Sequence, residues 1–147
     1  MAEIIISQDE ADKLIQMPKP RLDDSVHDFP LPGEKVIINL QSTDGRERFI
    51  LDVSRGKIEI RKAKYQSRYH KIIILSRLDI FGAPHTNPDG AIVDCPHIHT
   101  YKEGYGDKWA YPLPDNFTAT DNLLQVLDEF MSYNNVTDPP IFSGGAI

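Results

Sequence analysis

The stretch that decides the fold is His70-Lys-Ile-Ile-Ile-Leu-Ser-Arg-Leu78, which carries four apolar residues in succession. A short apolar run bounded by polar residues is typical of a strand at the centre of a sheet. We therefore expect this segment to be a central strand that is covered on both faces. The other elements of the chain are expected to be arranged around it.

The segments before this strand predict an antiparallel meander. Residues 36–40 and 47–53 are strand-like, and Asp44-Gly45 between them suits the tight turn of a hairpin. Residues 57–62 alternate between charged and apolar side chains. This period of two predicts a further strand whose two isoleucines face the core.

Two amphipathic helices are predicted towards the ends of the chain. Residues 7–10 have the form of a capping box, Ser-x-x-Glu, which predicts a helix from about residue 8 to residue 17. Apolar residues recur at helical spacing from residue 123 to residue 131 and predict a second helix. The sequence thus predicts an α+β fold. One antiparallel sheet of about five or six strands has its apolar face covered by an N-terminal and a C-terminal helix.

The remaining segments are expected to be irregular. Four prolines lie in residues 18–34, which predicts a loop that crosses the surface. We expect residues 1–133 to form a single domain, since 147 residues suffice for one core. Residues 134–147 are rich in proline and glycine towards their end, and we expect a flexible tail.

The composition favours a cytoplasmic protein with no membrane partner. No apolar run approaches the roughly 20 residues that span a bilayer. Cys95 is the only cysteine, so no internal disulfide can form. A chain without disulfides agrees with a reducing compartment.

The charge of the chain is unevenly distributed. The formal net charge of −6 argues against nucleic-acid binding, because that binding depends on lysine and arginine. Half of the 16 lysines and arginines, however, lie between Arg55 and Arg77, where Glu59 is the one acidic residue. Such a basic band can hold a polyanion on a molecule that is acidic overall. The alternative is a solvated strand face whose lysines protect a sheet edge.

The residues able to move protons are concentrated between residues 77 and 111. This segment contains His85, His97 and His99 out of five histidines in the chain. A strand predicted over residues 97–103 would place His97, His99 and Tyr101 on one face. We expect none of the three histidines to be needed for packing.

These groups are sufficient for RNA cleavage without a metal. The reaction needs a base for the ribose 2′-hydroxyl, an acid for the leaving 5′-oxygen and a cation for the charged phosphorane. Imidazoles titrate near neutrality and suit the first two roles. The candidate catalytic residues are His85, His97, His99, Arg77 and Tyr101. The candidate nucleic-acid-binding residues are Arg61, Lys64, Arg68, Lys71 and Lys108.

The same histidines leave two alternatives open. In the first, His85, His97 and His99 bind zinc or manganese, with a nearby carboxylate or thiolate as a further ligand. In the second, the imidazoles are structural and donate hydrogen bonds to the backbone of the proline-rich loop. The favoured hypothesis is metal-free acid–base chemistry, which requires no cofactor.

Three sequence patterns resemble a known family. They are Arg-Leu-Asp-x-x-Gly-x-Pro-His-x-Asn-Pro-Asp-Gly, Pro-His-Ile-His-x-Tyr and Glu-Gly-Tyr-Gly-Asp-Lys-Trp-Ala. Together they look like an uncharacterised family of small bacterial and phage proteins, a domain of unknown function, over about residues 31–133. That resemblance implies no activity.

A more distant similarity covers about a third of the chain. The order Arg-x-Asp, Pro-His, Pro-His-x-His is similar to TumE-type toxins, within a broad group of metal-independent ribonucleases. The residues at the matching places are Arg77, Asp79, Pro84, His85, Pro96, His97 and His99. The acidic net charge departs from the usual basic toxin.

The resulting hypothesis is a cytoplasmic, metal-independent endoribonuclease, such as the toxin of a toxin–antitoxin or phage-conflict system. RNA and a protein antitoxin are its expected partners, and the oligomeric state is left open. One alternative is a non-catalytic binding protein, an inhibitor or accessory factor, that grips a partner with its basic band. A third is a metal-dependent hydrolase.

Overall fold

The computed structural model describes residues 5–118 and 121–143, in which two helices and ten strands are defined. In chain order they are α1 Gln8–Gln16, β1 Val26–Asp28, β2 Lys35–Gln41, β3 Arg48–Arg55, β4 Ala63–Tyr69, β5 Ile73–Asp79, β6 His85–Thr86, β7 Ile92–Val93, β8 His97–Thr100, β9 Ala110–Pro112, α2 Leu123–Tyr133 and β10 Ile141–Ser143. Six strands form an antiparallel sheet in the order β2-β3-β4-β5-β8-β9. The α+β prediction is confirmed.

Both helices pack on one face of this sheet. Helix α1 begins with the predicted capping box, in which the Ser7 side chain accepts from the Glu10 backbone and the Glu10 side chain accepts from the Ser7 backbone. It contacts β5, and α2 contacts β4. Tyr65, Leu78 and Phe130 are among the fully buried residues of the core between helices and sheet. The opposite face of the sheet is called the outer face below.

Strand β5 is central, as predicted, but only one of its faces is apolar. Ile73 and Leu78 lie in the core, whereas Arg77 and Asp79 lie on the outer face. Leu75 faces the core with Ile73 by ordinary alternation, and a bulge at this point, where the register between β4 and β5 shifts, brings Ser76 to the buried side as well. The other two members of the apolar run are Ile72, which is 62% exposed, and Ile74, which is half-buried, so the run does not reflect cover on both faces.

The strand predicted over residues 57–62 is wrong. These residues form a turn, closed by a hydrogen bond from Gly56 N to Lys62 O of 2.8 Å, and Ile58 is 96% exposed. The next strand is β4, in which Tyr65 and Ser67 face the core. Its alternation was hidden because a serine occupies a core-facing position and polar residues surround it.

The surface loop predicted for residues 18–34 contains one strand. Strand β1 pairs in parallel with β10, and Pro20 forms a bridge with Asp138. The segment after residue 133, expected to be a flexible tail, therefore contacts the domain as far as Ser143. Val136 is buried in the core as well. Residues 144–147 lie outside the described part of the chain.

No helix within the described residues is long and apolar enough to cross a membrane.

Candidate functional site

The outer face brings the three predicted histidines together. The register of β5 and β8 places Asp79 opposite His97 and Arg77 opposite His99. The β6–β7 hairpin adds His85. The ring centroids lie 5.1 Å apart for His97 and His99, 4.6 Å for His85 and His99, and 6.0 Å for His85 and His97. We refer to these three residues with Arg77 and Asp79 as the histidine cluster.

The hairpin that carries His85 is held in place by a buried asparagine. The Asn87 amide donates to Ala110 O at 2.9 Å and accepts from Ala110 N at 2.8 Å. These bonds dock the hairpin on β9 at the edge of the sheet. A further hydrogen bond of 2.8 Å joins His85 Nε2 to Lys108 O. Because that carbonyl only accepts, Nε2 carries the proton and Nδ1 presents its lone pair.

Arg77 is the positive centre of the cluster. Its guanidinium lies 2.8 Å from the Asp107 carboxylate, 3.0 Å from His99 Nε2 and 3.4 Å from Asp79 Oδ1. The Arg77 side chain is only 20% exposed, so these contacts act in a partly desolvated setting. The arginine therefore neutralises two carboxylates and orients one imidazole.

Asp79 is ionised in this setting. Burial raises the pKa of its carboxyl, but contact with His99 and the positive charges of Arg77 and Lys64 outweigh that effect and hold the pKa at about 2. Its Oδ2 lies 3.2 Å from His97 Nε2 and 3.4 Å from His99 Nε2. One carboxylate thus faces both buried imidazoles.

The outer nitrogens of the two buried rings are fixed by backbone carbonyls. His99 Nδ1 lies 2.8 Å from Asp107 O, and His97 Nδ1 lies 3.2 Å from Asp94 O, so each donates there. His99 Nε2 then accepts from Arg77 when the ring is neutral and can donate to Asp79 when it is protonated. His97 Nε2 faces only Asp79 among these groups, and this contact is a hydrogen bond only with a proton on Nε2.

The three histidines differ in exposure, and this corrects one expectation. His97 is 2% exposed and His99 is fully buried, whereas His85 is partly exposed. The two buried rings are therefore part of the packing, contrary to the expectation that none is needed for it. His85 is the most exposed of the three rings.

Tyr101 does not belong to the cluster. Strand β8 ends at Thr100, and the chain turns so that Tyr101 enters the core on the helix side. Its hydroxyl donates to Ile6 O at 2.7 Å, which anchors the start of α1. The predicted alternation failed here because it was extended one residue past the end of the strand.

Two of the predicted nucleic-acid-binding residues are engaged by carboxylates. Arg68 makes two hydrogen bonds to Asp52, at 2.6 and 2.9 Å, and Arg61 makes two to Glu59, at 2.8 and 3.0 Å. Two of the five predicted cations are thus already paired with carboxylates.

The three predicted lysines lie in different elements. Lys64 lies on the outer face beside Asp79, and it faces a cleft. Lys71 lies in the β4–β5 turn with a positive φ of 68°, and Lys108 is exposed next to the hairpin.

The match to a protein family covers almost the whole chain. The model of a family of unknown function (DUF6978) matches residues 6–136. The chain belongs to this family. No curated protein and no solved structure matches it. The matched range includes both helices and the entire six-stranded sheet, so the histidine cluster lies within the DUF6978 domain.

Three members of the cluster have the chemistry of a metal site. One carboxylate oxygen of Asp79 and one ring nitrogen each of His97 and His99 lie within 4.8 Å of one another. Metal-binding histidines commonly donate their other ring N–H to a backbone carbonyl, as both rings do here. Arg77, however, approaches His99 Nε2 at 3.0 Å and so occupies part of the position that a metal would take.

Sequence reasoning missed three residues that build this site. Asn87 docks the hairpin, Asp107 positions both Arg77 and His99, and Asp79 joins the two buried rings. In the sequence, Asp79 is indicated only by the similarity to TumE-type toxins. The alternation of β5 would have placed it beside Arg77, two residues away on the same face. No sequence signal indicates the role of Asn87, because its partner is a backbone group 23 residues away.

Proposed function

We propose that this DUF6978 protein is a metal-independent endoribonuclease. The observation that carries the proposal is the meeting of three imidazoles, one of which contacts the Arg77 guanidinium, with a carboxylate between the two buried rings. Proton transfer by positioned imidazoles and charge stabilisation by a preorganised cation are the two effects that such cleavage requires.

In this proposal His85 is the general base. Its Nδ1 lone pair takes the proton of the ribose 2′-hydroxyl, and the 2′-oxygen then attacks the adjacent phosphorus. His85 suits this role because it is partly exposed and because its bond to Lys108 O fixes the ring. The neighbouring His99 ring, at a centroid distance of 4.6 Å, supports its position.

His97 is the general acid in the same proposal. The bond from phosphorus to the 5′-oxygen breaks, and that oxygen receives the proton of His97 Nε2 by way of the Asp79 carboxylate, since Asp79 is 20% exposed and His97 only 2%. Asp79, 3.2 Å from this nitrogen, stabilises the protonated ring before transfer. Arg77, whose guanidinium lies 3.4 Å from Asp79, would stabilise the charged phosphorane. The products would be a 2′,3′-cyclic phosphate and a 5′-hydroxyl.

The biological setting follows from the resemblance to TumE-type toxins. We propose a cytoplasmic toxin of bacterial or phage origin, with RNA as substrate and a protein antitoxin as partner. Expression should then arrest the growth of the host, and growth should continue when His85→Ala is expressed instead. Equal growth with both proteins would argue against the toxin role.

The enzymatic proposal is tested with total RNA and purified wild-type protein. Cleavage should continue in EDTA, and the products should carry 2′,3′-cyclic phosphates. The matched variants are His85→Ala and His27→Ala, since His27 lies on β1 outside the cluster. His85→Ala should lose about 10² or more in rate, and His27→Ala should retain the wild-type rate. A wild-type protein with no activity on RNA would refute the proposal.

The convergence of Asp79, His97 and His99 supports a second candidate, a metal-dependent hydrolase. In that case elemental analysis of the purified protein should find about one transition metal per chain. Chelation should lower the melting temperature, because the closed metal site would contribute to folding. Changing His97 and His99 should abolish the bound metal. An unchanged melting temperature in chelator favours the metal-free proposal.

The third candidate is a non-catalytic inhibitor or accessory factor. The burial of His97 and His99 supports it, since structural imidazoles would also be buried and bonded to backbone carbonyls. An inactive wild-type protein whose His97→Ala variant unfolds early is the result that this candidate expects.

A further inference from the structure

A cleft beside the histidine cluster shares only Asp79 with the chemistry described so far. We infer that it binds one unpaired nucleotide of single-stranded RNA, with the phosphate on Lys62 and Lys64 and the base against Phe81. The inference rests on the proposed ribonuclease function and names the form of its substrate. Residues 62–64, 79 and 81–83 supply most of its walls.

The cleft is basic and has the size of a small ligand. Its volume is about 310 Å³, at the lower end of the range that small-molecule sites occupy. Its charged lining residues are Arg55, Lys62, Lys64 and Asp79. Three cations thus face one carboxylate, and Asp79 is itself engaged by Arg77 and the histidines. The remaining positive charge suits a phosphate group.

An apolar hollow adjoins this cleft. It has a volume of about 270 Å³, and Phe81 and Cys95 line both spaces. The rest of the hollow includes Ile60, Ile80 and Leu123. A nucleotide is an amphiphile, because its phosphate is charged while the faces of its base are apolar. Adjoining basic and apolar spaces therefore match a phosphate and a base of the same chain.

Phe81 has the position of a stacking platform. Its ring is 39% exposed, which is a large exposure for phenylalanine beside a cleft. The Arg61 guanidinium lies over the ring at 4.2 Å and is held there by two hydrogen bonds from Arg61 to Glu59. Aromatic rings and arginine planes are the surfaces on which proteins stack unpaired bases. This also gives Arg61 a role other than phosphate binding.

The cleft leads to the histidine cluster from two sides. Asp79 is part of its wall and lies 3.2 Å from His97. On the other side, the wall formed by Phe81, Gly82 and Ala83 continues through one residue to His85. A nucleotide in the cleft thus places its neighbouring phosphodiester near the proposed base and acid.

The single-stranded form follows from the position of the base. A base paired within a duplex is stacked on both sides and cannot enter the hollow beside Phe81 without being extruded, which costs a few kcal/mol. An unpaired base has no such cost. We therefore expect the protein to prefer single strands over duplexes of the same sequence.

The test measures binding separately from cleavage. A fluorescent single-stranded oligonucleotide with 2′-O-methyl riboses cannot be cleaved through the 2′-hydroxyl, so its anisotropy reports affinity alone. Wild-type protein should bind it at least tenfold more tightly than the corresponding duplex. Phe81→Ala should weaken the binding of the single strand about fivefold or more, since stacking contributes about 1–3 kcal/mol per base.

Paired lysine variants test the phosphate subsite. The Lys62→Ala/Lys64→Ala double variant should reduce the slope of log affinity against log salt by about 1.4, since each phosphate contact to a single strand contributes about 0.7. Lys57→Ala is the matched control, because Lys57 is an exposed lysine of the same turn that does not line the cleft. It should leave the slope and the affinity near the wild-type values.

Three outcomes would overturn the inference: equal affinity for duplex and single strand, wild-type affinity in Phe81→Ala, or an equal change in slope for Lys57→Ala and the double variant. Failure of the ribonuclease proposal looks different. In that case the uncleavable oligonucleotide binds as expected, and unmodified RNA remains intact.

Discussion

Lys19 is fully buried and joins the ends of the two helices. Its ammonium donates to Ile15 O and Met17 O, at the end of α1, and to Asn134 O, at the end of α2, over 2.7 to 3.0 Å. The carboxyl ends of helices carry partial negative charge, and the Phe49 ring lies 4.7 Å from the ammonium. One side chain thus satisfies three carbonyls that would otherwise lack partners.

The burial of Lys19 predicts a specific dependence of stability on pH. Burial lowers the pKa of Lys19 from 10.5 to about 7 in the folded protein. Between these values the unfolded chain binds more protons than the folded chain, so the free energy of unfolding should rise with pH on account of this group. Urea unfolding at several values between pH 7 and 10 measures the slope. Lys19→Met should remove this contribution, and the exposed Lys13→Met should retain it. Equal slopes in the two variants would contradict the argument.

Because His97 and His85 differ in burial, we expect their alanine variants to differ in the free energy of unfolding. His97→Ala should lower the free energy of unfolding by about 1–3 kcal/mol, because it removes a ring that is 2% exposed together with its contacts to Asp79 and Asp94 O. His85→Ala should change it by less than about 0.5 kcal/mol, since His85 is partly exposed. Thermal and chemical denaturation of both variants checks the difference. Equal losses of the free energy of unfolding in the two variants would mean that His85 stabilises the hairpin as much as His97 stabilises β8.

At the scale of elements, the β6–β7 hairpin determines whether a site exists. Strands β5 and β8 place Arg77, Asp79, His97 and His99 through their register alone. His85 joins them because Asn87 bonds to both backbone groups of Ala110 and His85 itself bonds to Lys108 O. The cluster therefore combines a part placed by the sheet with a part that depends on the docking of the hairpin.

This docking contact predicts the effect of Asn87→Ala. The substitution leaves two buried backbone groups of Ala110 without side-chain partners, so we expect a loss of about 1–3 kcal/mol in the free energy of unfolding. Amide exchange at Ala110 should become faster, and any cleavage should fall because His85 is no longer held in place. Asn116→Ala, at an exposed position before α2, is the control and should change neither. Unchanged exchange at Ala110 would show that other contacts hold the hairpin.

The elements show which features the sequence could reveal. Three features depend on local residue chemistry and on the hydrophobic period of the sequence, and the sequence predicts all three. They are the capping box, the β2–β3 hairpin and α2. Strand β4 was missed because its core-facing Ser67 breaks the apolar alternation. Residues 57–62 alternate between charged and apolar side chains, and this pattern predicts a strand. In the structure they form a turn that pairs with no strand, and Ile58 is exposed to solvent. The proximity of the histidines was predictable, but their burial depends on a hairpin docked through long-range contacts.

At the scale of the whole molecule, the segment that follows α1 contacts the segment that follows α2. Strand β1, in the segment after α1, pairs with β10, and the Asn135 side chain bonds to Gln16 O. Phe142 packs against Phe29, and Phe29 is a core residue. The residues that follow α2 thus complete the domain beside the segment that bridges to Leu40 of β2, and β2 lies three strands from β5 in the sheet.

Removal of residues 136–147 should therefore destabilise the whole domain. The truncation deletes β10, leaves β1 without its partner and takes Val136 out of the core. Burial of a valine side chain contributes about 1.5–3 kcal/mol, so the melting temperature should fall by several degrees. The control is removal of residues 144–147 alone, which keeps β10 and Val136, so that the difference between the two truncations reports residues 136–143. Since the deleted residues lie away from β5 and β8, any RNA cleavage measured well below the new melting temperature should persist. A truncated protein with wild-type stability would show instead that residues 136–147 are the flexible tail that the sequence predicts.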